Sequence, residues 1–363
     1  MNAPQTDKIT FLLNWHATPY HAPIFLAQSK GYFADEGIKV AIIEPNDPSD
    51  VTELIGSKNG INMGAKAMVH TIAGKAMGYP IVSVGTLMDE PITGVVYLEG
   101  GLEGKGGNVV TSDFDSLRGK RVGYVGHFGK IQIDELFQHH KLLKADGTPD
   151  YTPVRCGMNI SGAILDGSID AGIGLENVQT VELEEYCKSA GRPVEDVKML
   201  RIDELAELGC CCFCSILYIA NEDWLKANPE KVAAFMRAVK RASDYLQSSP
   251  VEAWTAYKAC KKSMRAPIMD KMFERSFTYM SKDLVNVQRD WNKVTGYCRR
   301  LGLVDEAFKP NCTNEFIAWE HEPQPEDPIA NQRVIAKKQD QVRLGGGVLA
   351  SAPAASAGIT AMA

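Results

Sequence analysis

At 363 residues the chain is too long for one ordinary hydrophobic core and predicts two lobes with appendages. Its 45% hydrophobic and 23% charged residues suit a well-packed soluble protein, and a net charge of −6 with scattered Lys and Arg argues against nucleic acid or an anionic membrane as partner. The polar opening Met1-Asn2-Ala3-Pro4-Gln5 has no secretory pattern and no stretch reaches the ~18 apolar residues of a membrane span, so nine cysteines predict a reducing, cytoplasmic setting.

Ile9 to Leu13 reads as a buried strand ending in a polar and aromatic loop, Asn14-Trp15-His16-Ala17-Thr18-Pro19-Tyr20-His21. Such a loop at the carboxyl end of a first strand is where α/β proteins place ligands, although one packed Trp in an ordinary connection gives the same pattern. A helix over His21 to Lys30 and a strand over Ile38 to Ile43 follow, then a helix from Ser49 to Ile55. The strand Ile61-Asn62-Met63 runs into Gly64-Ala65-Lys66 and a third helix, predicted to start near Lys66 and to reach about Met77. Strands are predicted at Pro80 to Leu87 and Gly94 to Leu98, with a glycine-rich stretch, Gly100 to Gly107, after them. A second α/β series begins with the strand Arg121 to Val125, the tight turn Gly126-His127-Phe128-Gly129 and a helix from Lys130 to Leu143. It continues through strands near Thr152, Ala171 and Lys198 to the cysteine-rich segment, with helices at Asn159 to Leu165 and Asn177 to Cys187 between them. The alternation predicts mostly parallel sheets with helices on both faces. Two successive α/β halves imply lobe 1 at 1–99 and 221–336, with a helical C-terminal part, and lobe 2 at 100–220. Residues 337–363, rich in Ala, Gly and Ser, read as a disordered tail.

Three constellations carry chemistry. Cys210, Cys211, Cys212 and Cys214 fall within five positions, so in an extended strand three thiols share one face. This is either an apolar core strand or a soft-ligand site for a redox-active metal, iron or copper ahead of zinc, because the paired C-x-x-C spacing of zinc is absent. Lys66 and His70, four apart on the predicted third helix, would share a face opposite Met68, Val69, Ile72, Ala73 and Ala76. They are either a solvated pair or a cleft pair, in which the helix start disfavours the Lys66 ammonium and readies the amine for a Schiff base. Gly126-His127-Phe128-Gly129 joins a strand to a helix start, which suits a phosphate, and equally suits a plain turn. Glu176, Asp89 and Glu90 are carboxylates near strand ends that orient a ligand or cap a helix.

Taken together, Asn14-Trp15, Gly64-Ala65-Lys66-Ala67-Met68-Val69-His70, the Gly126 to Gln132 segment and Cys210-Cys211-Cys212-Phe213-Cys214 resemble the fungal hydroxymethylpyrimidine phosphate synthases of thiamine biosynthesis. The resemblance runs from about Lys8 to Trp319. It implies a two-lobed, type II periplasmic-binding-protein-like fold, a homodimer, and synthesis of the thiamine pyrimidine from pyridoxal 5'-phosphate and a histidine of the chain itself. It further implies Lys66 as the Schiff-base lysine, His70 as the consumed histidine and a single turnover with iron and oxygen. Gly126, His127, Phe128 and Gly129 would cradle the phosphate beside Asn14 and Trp15, and the four cysteines would hold the iron. His127 stands where the resemblance leads one to expect an acidic residue. Two rival readings are a solute-binding protein for a pyrimidine or related ligand and a conventional pyridoxal-phosphate enzyme that turns over repeatedly on Lys66.

Overall fold

In a computed structural model, residues 8–57, 60–89, 93–102, 109–202, 214–321 and 348–349 are described. The strands are β1 (Lys8–Leu12), β2 (Lys39–Ile43), β3 (Met63–Ala67), β4 (Ile81–Met88), β5 (Thr93–Leu98), β6 (Arg121–Tyr124), β7 (Thr152–Arg155), β8 (Ala171–Leu175), β9 (Val197–Arg201) and β10 (Ile216–Asn221). The helices are α1 (Ala22–Ser29), α2 (Tyr32–Asp35), α3 (Val51–Gly56), α4 (Met68–Ala76), α5 (His127–His139), α6 (Ile160–Asp166), α7 (Val181–Ser189), α8 (Glu222–Ala227), α9 (Pro229–Ser248), α10 (Pro250–Cys260), α11 (Pro267–Phe277) and α12 (Gln288–Arg300).

Two five-stranded sheets, ordered β2-β1-β3-β10-β4 and β7-β6-β8-β5-β9, repeat one plan. In each, four strands run one way and one runs against them: β10 is antiparallel to β3 and β4, and β5 is antiparallel to β8 and β9. The predicted mostly parallel pairing is therefore half antiparallel, because each sheet takes in one strand from beyond a crossing of the chain. The crossings lie between β4 and β5 and between β9 and β10. The expected boundaries differ accordingly: β5, expected before residue 100, belongs to the second sheet, and β10, expected in lobe 2, to the first. Architecture and class are α/β with two lobes.

Local chemistry explains the elements. In α9, Pro229 occupies the first turn, where its missing N–H costs nothing, and Val232, Phe235, Met236, Val239, Ala242 and Leu246 form the buried stripe. Phe235 stacks on Phe11 of β1 at 5.2 Å and meets Tyr218 of β10 edge-on at 5.8 Å, contacts worth roughly 0.5–1.5 kcal/mol each beyond their burial. Asn221 ends β10 and caps α8, its side chain accepting from Trp224 N–H at 3.0 Å. A second apolar cluster joins the lobes, running from Leu12, Val69 and Leu217 through Trp291 of α12 to Ile133 and Phe137 of α5.

The third helix starts later than predicted. Residues 63–67 form β3, paired with β1 and β10, and α4 begins only at Met68. Ala65, Lys66 and Ala67 are good helix formers, but two flanking strands outweigh that weak preference. Lys66 and His70 are consequently not neighbours on one helical face: one ends a strand and the other opens a helix. The helix expected from Lys130 starts at His127, so Phe128 and Gly129 belong to the first turn of α5 rather than to a turn before it. Cys210, Cys211, Cys212, Glu90 and the tail, apart from residues 348–349, lie outside the described residues.

Candidate active site

The ends of the strands from both lobes meet at a cavity of about 150 Å³. Lobe 1 contributes Asn14 after β1, Pro48 after β2, Lys66 and Ala67 at the end of β3, and His70 of α4. Lobe 2 contributes Gly126 after β6, Gly129 and Gln132 of α5, Met158 after β7 and Gly174, Leu175 and Gln179 around the end of β8. Thr93, at the start of β5, and Cys214, just before β10, lie where the chain crosses. The cavity thus lies at the carboxyl ends of parallel strands, where the general rule for open α/β sheets places ligands.

Lys66 is 5% exposed. Alternation along β3 sends Ala65 into the core under α9 and Lys66 to the opposite face. Its Nζ donates to the Pro48 carbonyl. Burial lowers its pKa to about 8, although Asp47 and Asp50 pull it up, so a usable fraction is the neutral amine near neutral pH. The cause is desolvation rather than the helix start invoked from sequence, since Lys66 is not in the helix. Burial, followed by the neighbouring Lys66 charge, pushes the His70 imidazole well below its usual range. His70 is therefore neutral at physiological pH. Its Nδ1 is buried and finds no hydrogen-bond partner among the described residues, while the ring meets Phe128 edge-on at 4.8 Å.

Asn14 is fixed by a buried chain of hydrogen bonds. Thr18 N–H donates to His21 Nδ1 at 3.1 Å, so that nitrogen is unprotonated, and Nε2–H donates to Asn14 Oδ1 at 2.8 Å. Asn14 Nδ2 in turn donates to the Tyr20 hydroxyl at 2.9 Å, and Tyr20 also lines the cavity. Burial drops the His21 pKa to about 3, which keeps the neutral tautomer this chain needs. Trp15, paired with Asn14 in the sequence reading, does not line the cavity; it packs against Val178, Val181 and Met272 at the lobe junction.

The first turn of α5 presents the unpaired N–H groups that every helix start leaves, backed by the macrodipole. A Cβ at Gly129 would sit 3.6 Å from Ile173 and Tyr124, an ordinary contact, and the backbone there is helical. Neither packing nor φ demands a glycine there, and the bare position leaves the helix start open to the cavity. The residues present fit a phosphate. His127 is exposed and Phe128 half-buried against His70; of the four cradle residues only Gly126 and Gly129 line the cavity.

Cys214 alone of the four clustered cysteines is described. It lines the cavity, and burial raises its thiol pKa despite a hydrogen bond with Thr93. Among the described residues no three His, Cys, Asp or Glu side chains gather as a metal site. Glu176 is not a ligand-facing carboxylate: Arg275 of α11 donates to it at 2.8 Å. Sequence reasoning singled out neither Gln179 nor Thr93 nor Met158, although the rule of strand carboxyl ends would have pointed to Gln179, four residues past β8.

The structure is similar to solute-binding proteins. The alkanesulfonate-binding protein SsuA from Xanthomonas axonopodis pv. citri matches with a TM-score of 0.60 at 13% identity, over 83% of this chain and 94% of that one. The periplasmic aliphatic sulphonate binding protein SsuA from Escherichia coli gives 0.59 at 14%, over 89% and 96%. A Candida albicans gene product with the generic periplasmic binding protein fold also gives 0.59 at 14%, over 87% and 98%. These likenesses establish a periplasmic-binding-protein-like fold. By sequence, the family model described as "NMT1/THI5 like" matches residues 18–253. The 4-amino-5-hydroxymethyl-2-methylpyrimidine phosphate synthase of Uromyces fabae is 62% identical over 95% of this chain and 98% of its own length. That of Aspergillus parasiticus is 58% identical over 94% and 96%. With a family model over most of its length and relatives more than half identical over nearly all of it, this chain belongs to the NMT1/THI5-like family of fungal 4-amino-5-hydroxymethyl-2-methylpyrimidine phosphate synthases and is an enzyme.

Proposed function

We propose that this chain makes hydroxymethylpyrimidine phosphate, the thiamine pyrimidine precursor, from pyridoxal 5'-phosphate and its own His70, in one iron- and oxygen-dependent turnover. The observation that carries the reading is the convergence of three features on one cavity: a buried lysine with a lowered pKa, a neutral histidine with an unpartnered nitrogen, and a helix start that suits a phosphate.

Each residue then has a task. The α5 N-terminus, opened by Gly126 and Gly129, takes the phosphate of the substrate. Lys66, partly unprotonated, is the amine that takes the aldehyde and holds the ring. His70 is the partner reactant, kept neutral by burial so that its ring electrons are available. Asn14, locked by His21 and Tyr20, orients what lies between. Iron, when bound by Cys214 and the adjoining Cys210, Cys211 and Cys212, supplies the oxidising chemistry with dioxygen that opening an aromatic ring requires. The working form we propose is a cytoplasmic homodimer acting on a small molecule and not on nucleic acid or a membrane. Among the described residues no helix is long and apolar enough to cross a membrane.

The test is peptide mass spectrometry of the segment containing Lys66 and His70. Protein loaded anaerobically with pyridoxal 5'-phosphate and ferrous iron is compared before and after air. Loss of side-chain mass at His70, with at most one pyrimidine phosphate per chain, is the expected result. An intact His70 with repeated turnover would make the protein a conventional catalyst. An intact His70 with no product from fully loaded protein would favour a binding protein.

A further inference from the structure

Immediately after β8 the chain makes a single π turn, Glu176–Thr180, and Gln179 lies in it, 1% exposed and lining the cavity. Single π turns interrupt regular helices at a cost and concentrate at functional sites. This one is held from outside. Arg275, across the junction on α11, donates to Glu176 at 2.8 Å and to the Thr180 hydroxyl at 2.9 Å, and so grips both ends of the turn. Its other terminal nitrogen, Nη2, donates to both carboxylate oxygens of Glu184 of α7 at 2.6 and 2.7 Å, so the guanidinium forks between the two carboxylates.

The orientation of the Gln179 amide is settled by its neighbours. Leu175 N–H donates to Gln179 Oε1 at 2.8 Å, and a backbone N–H has no other role to play, so the opposite end is the NH2. Its stem is wedged against Gly174, where a Cβ would come within 3.0 Å of it. The NH2 itself is buried and has no partner among the described residues. A buried unsatisfied donor costs about 1–3 kcal/mol.

We propose that Gln179 is a substrate-recognition residue, donating through Nε2 to the ring oxygen of pyridoxal 5'-phosphate; this rests on the substrate reading above. Of the substrate's acceptors, the phosphate goes to α5 and the aldehyde to Lys66. What is left on the ring is its nitrogen and the oxygen beside the aldehyde. The oxygen carries negative charge in the bound form and calls for a donor, whereas the ring nitrogen is commonly protonated and calls for an acceptor. Placement agrees. In the second sheet β8 stands between β6, which leads to Gly126, and β5, which begins at Thr93 opposite Leu175, so the turn that holds Gln179 follows the strand next to the one that leads to Gly126. Gly126, Gly129, Lys66 and Gln179 all line the one cavity, so a ring held by its phosphate at α5 and its aldehyde at Lys66 shares that cavity with the Gln179 side chain.

The test compares pyridoxal 5'-phosphate with its 3-deoxy analogue, which lacks only that oxygen, by anaerobic absorbance and fluorescence titration without iron. Wild type is expected to prefer the full ligand about tenfold. Gln179→Met should lose most of that preference while binding the analogue as before. Gln179→Glu keeps the acceptor for Leu175 N–H and reverses the donor; it should weaken the full ligand more than the analogue, even if the Met variant folds poorly. Equal weakening of both ligands in either folded variant, or an undiminished preference, overturns the assignment alone. Failure of wild type to bind pyridoxal 5'-phosphate at all overturns the substrate reading and the assignment with it.

Discussion

Because the Lys66 side chain is only 5% exposed, burial holds its ammonium to a pKa of about 8, against an ordinary 10.5. Between these values the unfolded chain binds the proton more readily than the folded one, so this residue makes stability rise with pH across that window and imposes its full penalty below about pH 8. Lys66→Met should therefore be more stable than wild type at pH 7, by on the order of 3 kcal/mol before loss of the Pro48 hydrogen bond is counted, and the gain should fade by about pH 10.5. Thermal melts at pH 7 and pH 10 check this. A variant no more stable than wild type at pH 7 would show that Asp47, Asp50 and the Pro48 carbonyl already compensate the buried charge. Lys66 and His70 were both singled out from sequence, but through a shared helical face that does not exist. Four residues apart was the right cue for the wrong geometry: the end of a strand and the start of the next helix also bring such a pair to one cavity.

At the scale of elements, the first turn of α5 trades helix stability for an open position. Alanine at Gly129 fits the available space and raises helix propensity, so Gly129→Ala should raise the melting temperature by about 1–2 °C. With the phosphate bound at this turn as proposed, the same methyl would intrude on it, and affinity for pyridoxal 5'-phosphate and inorganic phosphate should drop several-fold in equilibrium titration. Unchanged affinity would remove the phosphate from this turn. The strand-to-helix junction at Gly126 was legible because glycine spacing and an apolar run announce it. The π turn was not, since Glu176-Asn177-Val178-Gln179-Thr180 reads as the start of an ordinary helix, and partners distant in the chain, Ser161, Arg275 and Ser276, bond to it.

Across the whole molecule, Arg275 ties α11 of lobe 1 to lobe 2 through two carboxylates, and Asn177 adds a buried bond of 2.9 Å to Ser276. All three charged side chains are less than a quarter exposed, so removing the guanidinium leaves Glu176 and Glu184 without their countercharge. Arg275→Met should cost roughly 3 kcal/mol and expand the molecule in small-angle scattering as the lobes separate. Arg275→Lys, which keeps charge but not the fork, should fall between. A compact, equally stable Arg275→Met protein would leave the apolar cluster through Trp291 as the dominant tie between the lobes.

What the sequence determined by itself was the class of the molecule and the identity of its unusual side chains: alternating strands and helices in two series, a lysine and histidine close in the chain, glycines at a strand-to-helix junction, and a cysteine run. These are local patterns, written in periodicity, turn residues and composition. Tertiary structure decided what no local window contains. Pairing with β1 and β10 turned a helix-forming segment into β3, the two crossings moved β5 and β10 into sheets that chain order did not assign them, and desolvation rather than a helix dipole set the Lys66 pKa. Gln179 acquired its place only when a strand end from one lobe and an arginine from the other met beside the cavity. Pair contacts between distant segments carry these outcomes, and their energies exceed the few tenths of a kilocalorie by which residues prefer one local conformation over another.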